Sequence, residues 1–326
     1  MGWLQDIIFR YRLDVVSARR LEQARQLSEK RLVHDAKRLL SMNAFSQANG
    51  SERDLVMGLA LGYGVKELAP FVVSLRQSGY DGDVVLLTHG CDAQTVAFLQ
   101  VHQVRMVPFT TISMIPMSMN SSRMFRYLDW LLEALLNQPK STFYRQILLC
   151  DVRDVIFQGN PFAKHSGENL SFFLESNQTI GSCPVNSDWM RRAYGNDVVQ
   201  ELQDYPVSCA GTLIGSSAAV FQYLLHMVQH IINVAPNNRF SGVDQAIHNY
   251  ILAKRLVPGS VSVKNAGLVM TVPSTNPTGL KLLQNGQIQN PNGSISEIVH
   301  QYDRDTVIAH EVVTRYDISV SAITTR

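Results

Sequence analysis

The chain has 326 residues, 45% of them hydrophobic and 17% charged, enough apolar material for a full core in one large domain or two smaller ones. Its formal charge of +2, from 29 Lys and Arg against 27 Asp and Glu, lacks the basic excess of a nucleic-acid binder, so no nucleic-acid partner is expected. Four cysteines with no CxxC pair argue against a zinc ribbon and a dense disulfide framework, and no apolar run is long enough for a bilayer span or a signal peptide, which makes the cytoplasm the expected location.

Charge is uneven along the chain. Residues 1 to 40 hold nine Lys and Arg against five Asp and Glu, a net +4, and the remainder carries −2. From Trp3 to Leu40 the apolar residues recur at helical spacing among these basic residues, with no Gly or Pro after Gly2. Residues 1–40 are therefore expected to form a helix or helical pair that packs on the body or on a second copy of the chain. The alternative is a peripheral anchor at a membrane surface with Trp3 and Phe9 inserted. "NAFSQANGSERD" (43–54) reads as a linker, so residues 1–50 form an extension and residues 51–326 one mixed α/β domain.

Strand and helix then alternate: strand "DLVMGLAL", turn "GYG", helix "VKELAPFVVSLRQSG", strand "DVVLLTHG", helix "DAQTVAFLQVHQ", strand "VRMVPF". This order predicts a mainly parallel sheet with helices on both faces, and Pro70 fits its helix only near the start or as a kink. A long helix, "SSRMFRYLDWLLEALLN", leads into the strand "ILLC" (147–150), an apolar run that stops abruptly at Asp151, Arg153 and Asp154. Three charges cannot follow a doubly buried strand into the core, so they mark its exit. In parallel α/β sheets ligands collect outside the carboxyl ends of strands.

The second half reads as strands "LSFFLES" and "TIGSCPV", helices around "SDWMRRAYG" and "DVVQELQD", strand "VSCAGTLIGS", helices "SAAVFQYLLHMVQHIINV" and "RFSGVDQAIHNYILAKRL", and strand "EIVHQYDRD", which again ends in charge. Asp151, Asp154 and His300 thus offer two carboxylates and an imidazole at strand ends, a donor set for Mn²⁺ or Mg²⁺. Each residue alone also has an ordinary structural role. "SGVD" matches a capping box, with Ser241 as N-cap and Asp244 at the third helical position, but capping does not account for Gln245 and Asn249 beside it. Gly62 and Gly64 serve either a plain tight turn or close approach of the backbone to a ligand.

In their order along the chain these motifs resemble nucleotide-sugar-dependent glycosyltransferases of the GT-A fold. "ILLCDVRD" is similar to the apolar strand ending in a DxD-type motif, and "NPF" to the segment after it. "CAGTLIGS" is similar to the strand beside the acceptor. "GVDQAIHNYIL" resembles the Asp-Gln helix start of the family 8 retaining enzymes, and "VHQYDR" stands where these supply a metal-binding histidine. "DVRDV" with "HQYDR" also resembles a poorly characterised glycosyltransferase-like group. The resemblance, over about residues 54–304, implies a metal site of Asp151, Asp154 and His300 holding Mn²⁺ or Mg²⁺. It implies donor contacts from Gly62, Tyr63, Arg123, Arg126, Asp151 and Arg153, with Asp244 and Gln245 at the reacting carbon and Gly211 and Thr212 by the acceptor. The implied partners are a nucleoside-diphosphate sugar and a saccharide or glycolipid acceptor. One departure stands out: Arg153 takes the second aspartate's place, so Asp154 supplies that carboxylate from one residue further on, or Arg153 itself neutralises diphosphate. A non-catalytic binding protein or scaffold of the same fold is the alternative. A haloacid-dehalogenase-type phosphatase is disfavoured because its general acid would stand where Arg153 is.

Overall fold

The structure is a computed structural model that describes residues 23, 26–42, 45, 52–109, 118–137, 143–165, 169–235, 238–239, 241–274 and 278–316. The first part of the N-terminal helical pattern, with Trp3 and Phe9, and most of the expected linker lie outside the described residues. Residues 26–41 are helical (α1), with Ala36 wholly buried and Leu32, Val33, Leu39 and Leu40 packed on the main core. This part of the extension therefore covers the body. No helix among the described residues is long and apolar enough to cross a membrane.

The expected alternation is met nearly element for element: β1 (Asp54–Leu61), α2 (Val65–Gln77), β2 (Asp83–His89), α3 (Ala93–Val101), β3 (Val104–Pro108), α4 (Met119–Asn137) and β4 (Gln146–Cys150). Pro70 lies inside α2 without ending it. α4 buries Met124, Tyr127, Leu128, Leu131, Leu132 and Leu135, an i, i+3, i+4, i+7 stripe that faces the sheet and is worth roughly 1.5–3 kcal/mol for each large side chain.

Beyond β4 follow β5 (Val155–Phe157), β6 (Ser171–Thr179), α5 (Pro184–Tyr194), α6 (Asn196–Leu202), β7 (Pro206–Ser216), α7 (Ser217–Asn233) and α8 (Val243–Ala253). The short strands β8 (Val261–Val263), β9 (Val269–Thr271), β10 (Lys281–Leu282), β11 (Ile288–Gln289) and β12 (Ile298–His300) come next, and α9 (Thr306–Tyr316) closes the described chain. The main sheet runs β3-β2-β1-β4-β7-β6-β8, and β7 is antiparallel to both of its neighbours while the other pairs are parallel. A smaller sheet, β5-β12-β9, lies alongside. The protein is a mixed α/β structure with a mainly parallel central sheet flanked by helices.

The strand expected at "TIGSCPV" does not form. β6 ends at Thr179, Thr179 and Ser182 bond each other across a turn, and Pro184 opens α5 at its first turn. Proline's fixed φ and missing N–H suit a helix start and not a sheet ladder.

α8 is fastened to β7 by buried polar groups. Asn249 Oδ1 accepts from Ser208 N at 2.8 Å, and the His248 ring is held at 2.9 Å by Ser208 Oγ on one side and Tyr223 Oη on the other. Burial, with the Arg123 charge adding, pulls His248 down to about 3, so it stays neutral in the fold. Between pH 6.5 and 3 the unfolded chain binds the proton that the native state refuses, so stability falls as pH falls through that window, by up to about 5 kcal/mol. We expect His248→Gln, which retains a donor and an acceptor, to flatten this acid-side slope of the thermal midpoint. A slope unchanged in the variant would assign it to other groups.

Candidate active site

The site forms where the central strand leaves the core. β4 is buried along its whole length between β1 and β7, and Asp151 N still donates to Gly211 O of β7 at 2.8 Å, one rung past the strand. The chain then turns over the buried Val152, which presses so closely on β1 that a Cβ on Gly58 would lie 2.3 Å from its Cγ1. It returns as β5, whose antiparallel register sets Val155 opposite His300 of β12, and Gln301 N bonds Asp154 O at 2.6 Å. Asp151 and Asp154 are thereby placed on either side of one turn, with His300 facing both. One ligand atom from each of Asp151, Asp154 and His300 lies within 4.8 Å of the others, and this is the cluster of metal-binding type among the described residues.

Two details fit a cation. His300 is wholly buried, yet its Nε2 has no hydrogen-bond partner and stands 3.5 Å from Asp151 Oδ2. Gly211 leaves the space open, because a Cβ there would lie 2.3 Å from His300 Cε1 and 2.7 Å from Asp151 Oδ2. Two carboxylate oxygens and an imidazole nitrogen suit Mn²⁺ or Mg²⁺.

Arg123 closes the inner side. Its guanidinium is buried, pairs with Asp151 Oδ1 and lies 3.6 Å from Asp244. Burial works against that charge, but Asp151 and Asp244 outweigh it and hold Arg123 protonated. Burial likewise pushes Asp151 up, and the Arg123 charge and His300 more than reverse it, so its carboxyl sits well below the usual range. Asp154 is pushed up by burial, which His300 offsets only in part and the Asp151 charge reinforces. Asp244 is also raised by burial, with Arg123 opposing. Burial works against a charge on His300 as well, but Cys209, Asp151 and Asp154 hold its imidazole well above the usual range, so three carboxylates share the pocket with two cationic groups.

The helix bearing Asp244 begins differently from the expected capping box. The N-cap is Gly242, at φ 87°, and Asp244 is the second residue of α8. Gly242 is required twice over, since a Cβ would also lie 2.1 Å from the Trp189 ring. Gln245 directs its amide to β7: Oε1 accepts from Ala210 N and Nε2 donates to Ser208 O, both at 2.8 Å. Asp244 is therefore the member of the pair that faces the charged cluster, and Gln245 fixes the helix that carries it.

The remaining predicted residues are spread around this centre. Tyr63 is half-buried at the cluster's edge, its hydroxyl pushed up by burial and within range of the Arg153, Asp151 and Asp154 charges. Gly62 takes a left-handed turn at φ 64° with N bonded to His89 O at 2.7 Å. Arg153 is half-exposed and donates to Asp303 at 2.9 Å, while Tyr302 Oη donates to Arg153 O at 3.1 Å. Arg126 turns away to stack at 4.2 Å on Phe109, and Thr212 is wholly buried in β7. Sequence reasoning missed Cys209, whose Sγ lies 3.7 Å from His300 Nδ1. Cys209 was legible only through period-2 alternation with Gly211, which sets both on one side of β7.

No known protein-family model matches the chain, and no curated protein matches it. Among solved structures it is similar to a galactosyltransferase, LgtC, in complex with donor and acceptor sugar analogs, at 12% identity over 84% of this chain and 97% of that one, with a TM-score of 0.49. An active-site mutant of LgtC is similar over the same shares at 12% identity, with a TM-score of 0.46.

Proposed function

We propose that the protein is a metal-assisted glycosyltransferase of the GT-A type that moves a sugar from a nucleoside diphosphate to a saccharide or lipid-linked acceptor. The observation that carries this reading is the cluster of Asp151, Asp154 and His300 at the carboxyl end of the central strand. It combines an orphaned buried imidazole nitrogen with a glycine-made space and a buried arginine alongside. Asp151, Asp154 and His300 would hold Mn²⁺ or Mg²⁺, which when bound supplies positive charge to a leaving diphosphate.

The reaction breaks the bond from the anomeric carbon to the diphosphate oxygen and forms one to an acceptor hydroxyl oxygen, whose proton is released. Arg123 fixes Asp151 so that Oδ2 faces the cluster, an orientation set before any ligand arrives. Asp244 is the carboxylate nearest to Arg123 on the α8 side and is assigned to the transferred sugar at the reacting carbon, with Gln245 positioning it. Gly62 and Tyr63 border the donor side, and Arg153 can exchange Asp303 for a phosphate oxygen. Gly211 borders the acceptor side. Retention of configuration is the stereochemistry proposed, in line with the Asp-Gln helix start.

The test is a panel of UDP, GDP, CDP and dTDP sugars with and without Mn²⁺, followed by thermal shift and by released nucleoside diphosphate. One nucleotide class should stabilise the protein in a Mn²⁺-dependent way that Asp154→Ala and His300→Ala abolish. Binding without any donor hydrolysis or transfer would leave a non-catalytic binding protein. No stabilisation by any donor would overturn the site.

A further inference from the structure

We infer that the part of the acceptor recognised beside the reacting carbon is a pyranose ring, with the Trp189 indole against its C–H face and the Glu175 carboxylate accepting from its hydroxyls. This deepens the proposed function and rests on it. The subsite continues from the acceptor side at Gly211. Its neighbour Ala210 donates from N to Gln245 Oε1 at 2.8 Å, Gln245 Nε2 donates to Asn186 Oδ1 at 3.4 Å, and Asn186 Nδ2 donates to Glu175 Oε1 at 3.4 Å. This row steps from β7 through α8 and α5 to β6. Trp189, three residues after Asn186 on α5, lies against the Gly242 backbone, and Gly242 stands two residues before Asp244. Glu175 and Trp189 thus flank the start of α8, where Asp244 and Gln245 lie.

The two side chains have complementary unmet needs. Glu175 is half-buried and makes no ion pair among the described residues, and its hydrogen bond from Asn186 is long and weak. A partly desolvated carboxylate gains most from neutral donors that bring no further negative charge, and adjacent sugar hydroxyls are such donors. Asn186 is 6% exposed and fastened at both ends of its amide, so it fixes the carboxylate in place. Trp189 is half-buried against the apolar group of Ile180, Met190, Leu202 and Val207, yet among the described residues its Nε1 makes no hydrogen bond. An apolar ring with a free N–H at its edge matches a pyranose, which has an apolar C–H face and a rim of hydroxyls. An isoprenoid chain would leave both the carboxylate and the indole N–H without partners.

The experiment is saturation-transfer difference NMR on the full chain with UDP, GDP, CDP or dTDP and Mn²⁺ present. The probes are glucose, galactose, N-acetylglucosamine, lactose and maltose, with a sugar-free isoprenoid phosphate as the lipid arm. At least one saccharide should bind wild type, with transfer strongest to the C–H protons of one ring face. Trp189→Leu should remove that pattern and Trp189→Phe, which retains an aromatic face, should restore it. Glu175→Gln, of the same shape, should raise the Kd of that saccharide by about 10-fold or more. Absence of saccharide binding in wild type overturns the inference without any variant being needed. Wild-type saccharide affinity in both Trp189→Leu and Glu175→Gln also overturns it, while Mn²⁺-dependent nucleotide binding leaves the transferase reading standing. A loss that falls equally on nucleotide binding, or binding of the isoprenoid phosphate alone, overturns the assignment to a sugar acceptor. Saccharide binding that depends on Trp189 in a protein with no response to any nucleotide supports the subsite and removes the transferase reading.

Discussion

Asp151→Asn should be the most damaging single change, lowering stability by about 3–5 kcal/mol and abolishing the Mn²⁺ response together. The substitution retains shape and removes one charge. Arg123, buried and paired with Asp151, would be left with Asp244 at 3.6 Å as its remaining ion-pair partner. Removing one partner of a buried pair strands the other charge in a poor solvent, which is why the cost exceeds that of most substitutions. Asp154→Asn is the informative contrast. The Asp154 carboxyl is pushed up in the fold by burial, so losing its charge should leave the thermal midpoint equal or higher while the Mn²⁺ response disappears. The double change Asp151→Asn with Arg123→Met should regain part of the stability and none of the metal response. Chemical denaturation with and without Mn²⁺ checks all three. An Asp151→Asn protein as stable as wild type would disprove the buried pairing.

Gly211→Ala should abolish Mn²⁺-dependent stabilisation and lower stability by roughly 1–3 kcal/mol through overpacking. The added Cβ would lie 2.3 Å from His300 Cε1 and 2.6 Å from its Nε2, and the ring is wholly buried with Cys209 Sγ 3.7 Å from its far edge, so it can move aside only by displacing its neighbours. Gly62→Ala is the control by a different mechanism. Its Cβ would meet nothing within 4 Å, but the position is left-handed at φ 64°, so the cost is backbone strain of about 1 kcal/mol and metal binding should survive. Both are read by Mn²⁺ titration beside the thermal midpoint. Mn²⁺ binding at wild-type strength in Gly211→Ala would show that His300 is not where the cation site needs it.

The sequence by itself determined the order of elements, because each rests on a local period. The apolar stripe of α4 and the continuous apolar run of β4 are properties of consecutive residues. It also marked the end of β4 as a place where charged residues leave the core, since a buried strand followed by Asp151, Arg153 and Asp154 has to emerge there. The reading failed where one residue overrode a pattern: Pro184 turned an expected strand into a helix start, and Gly242 displaced Ser241 as the N-cap of α8. Only the tertiary structure decided which of the charged residues meet. Arg123 was matched in sequence by Arg126 one turn on, yet Arg123 enters the site and Arg126 stacks on Phe109, because α4 has one face against the sheet and the two side chains leave it in different directions. Cys209 and His300, 91 residues apart, face each other because β7 and β12 converge on the same turn. Strand register and burial set such pairings, and no local period records them.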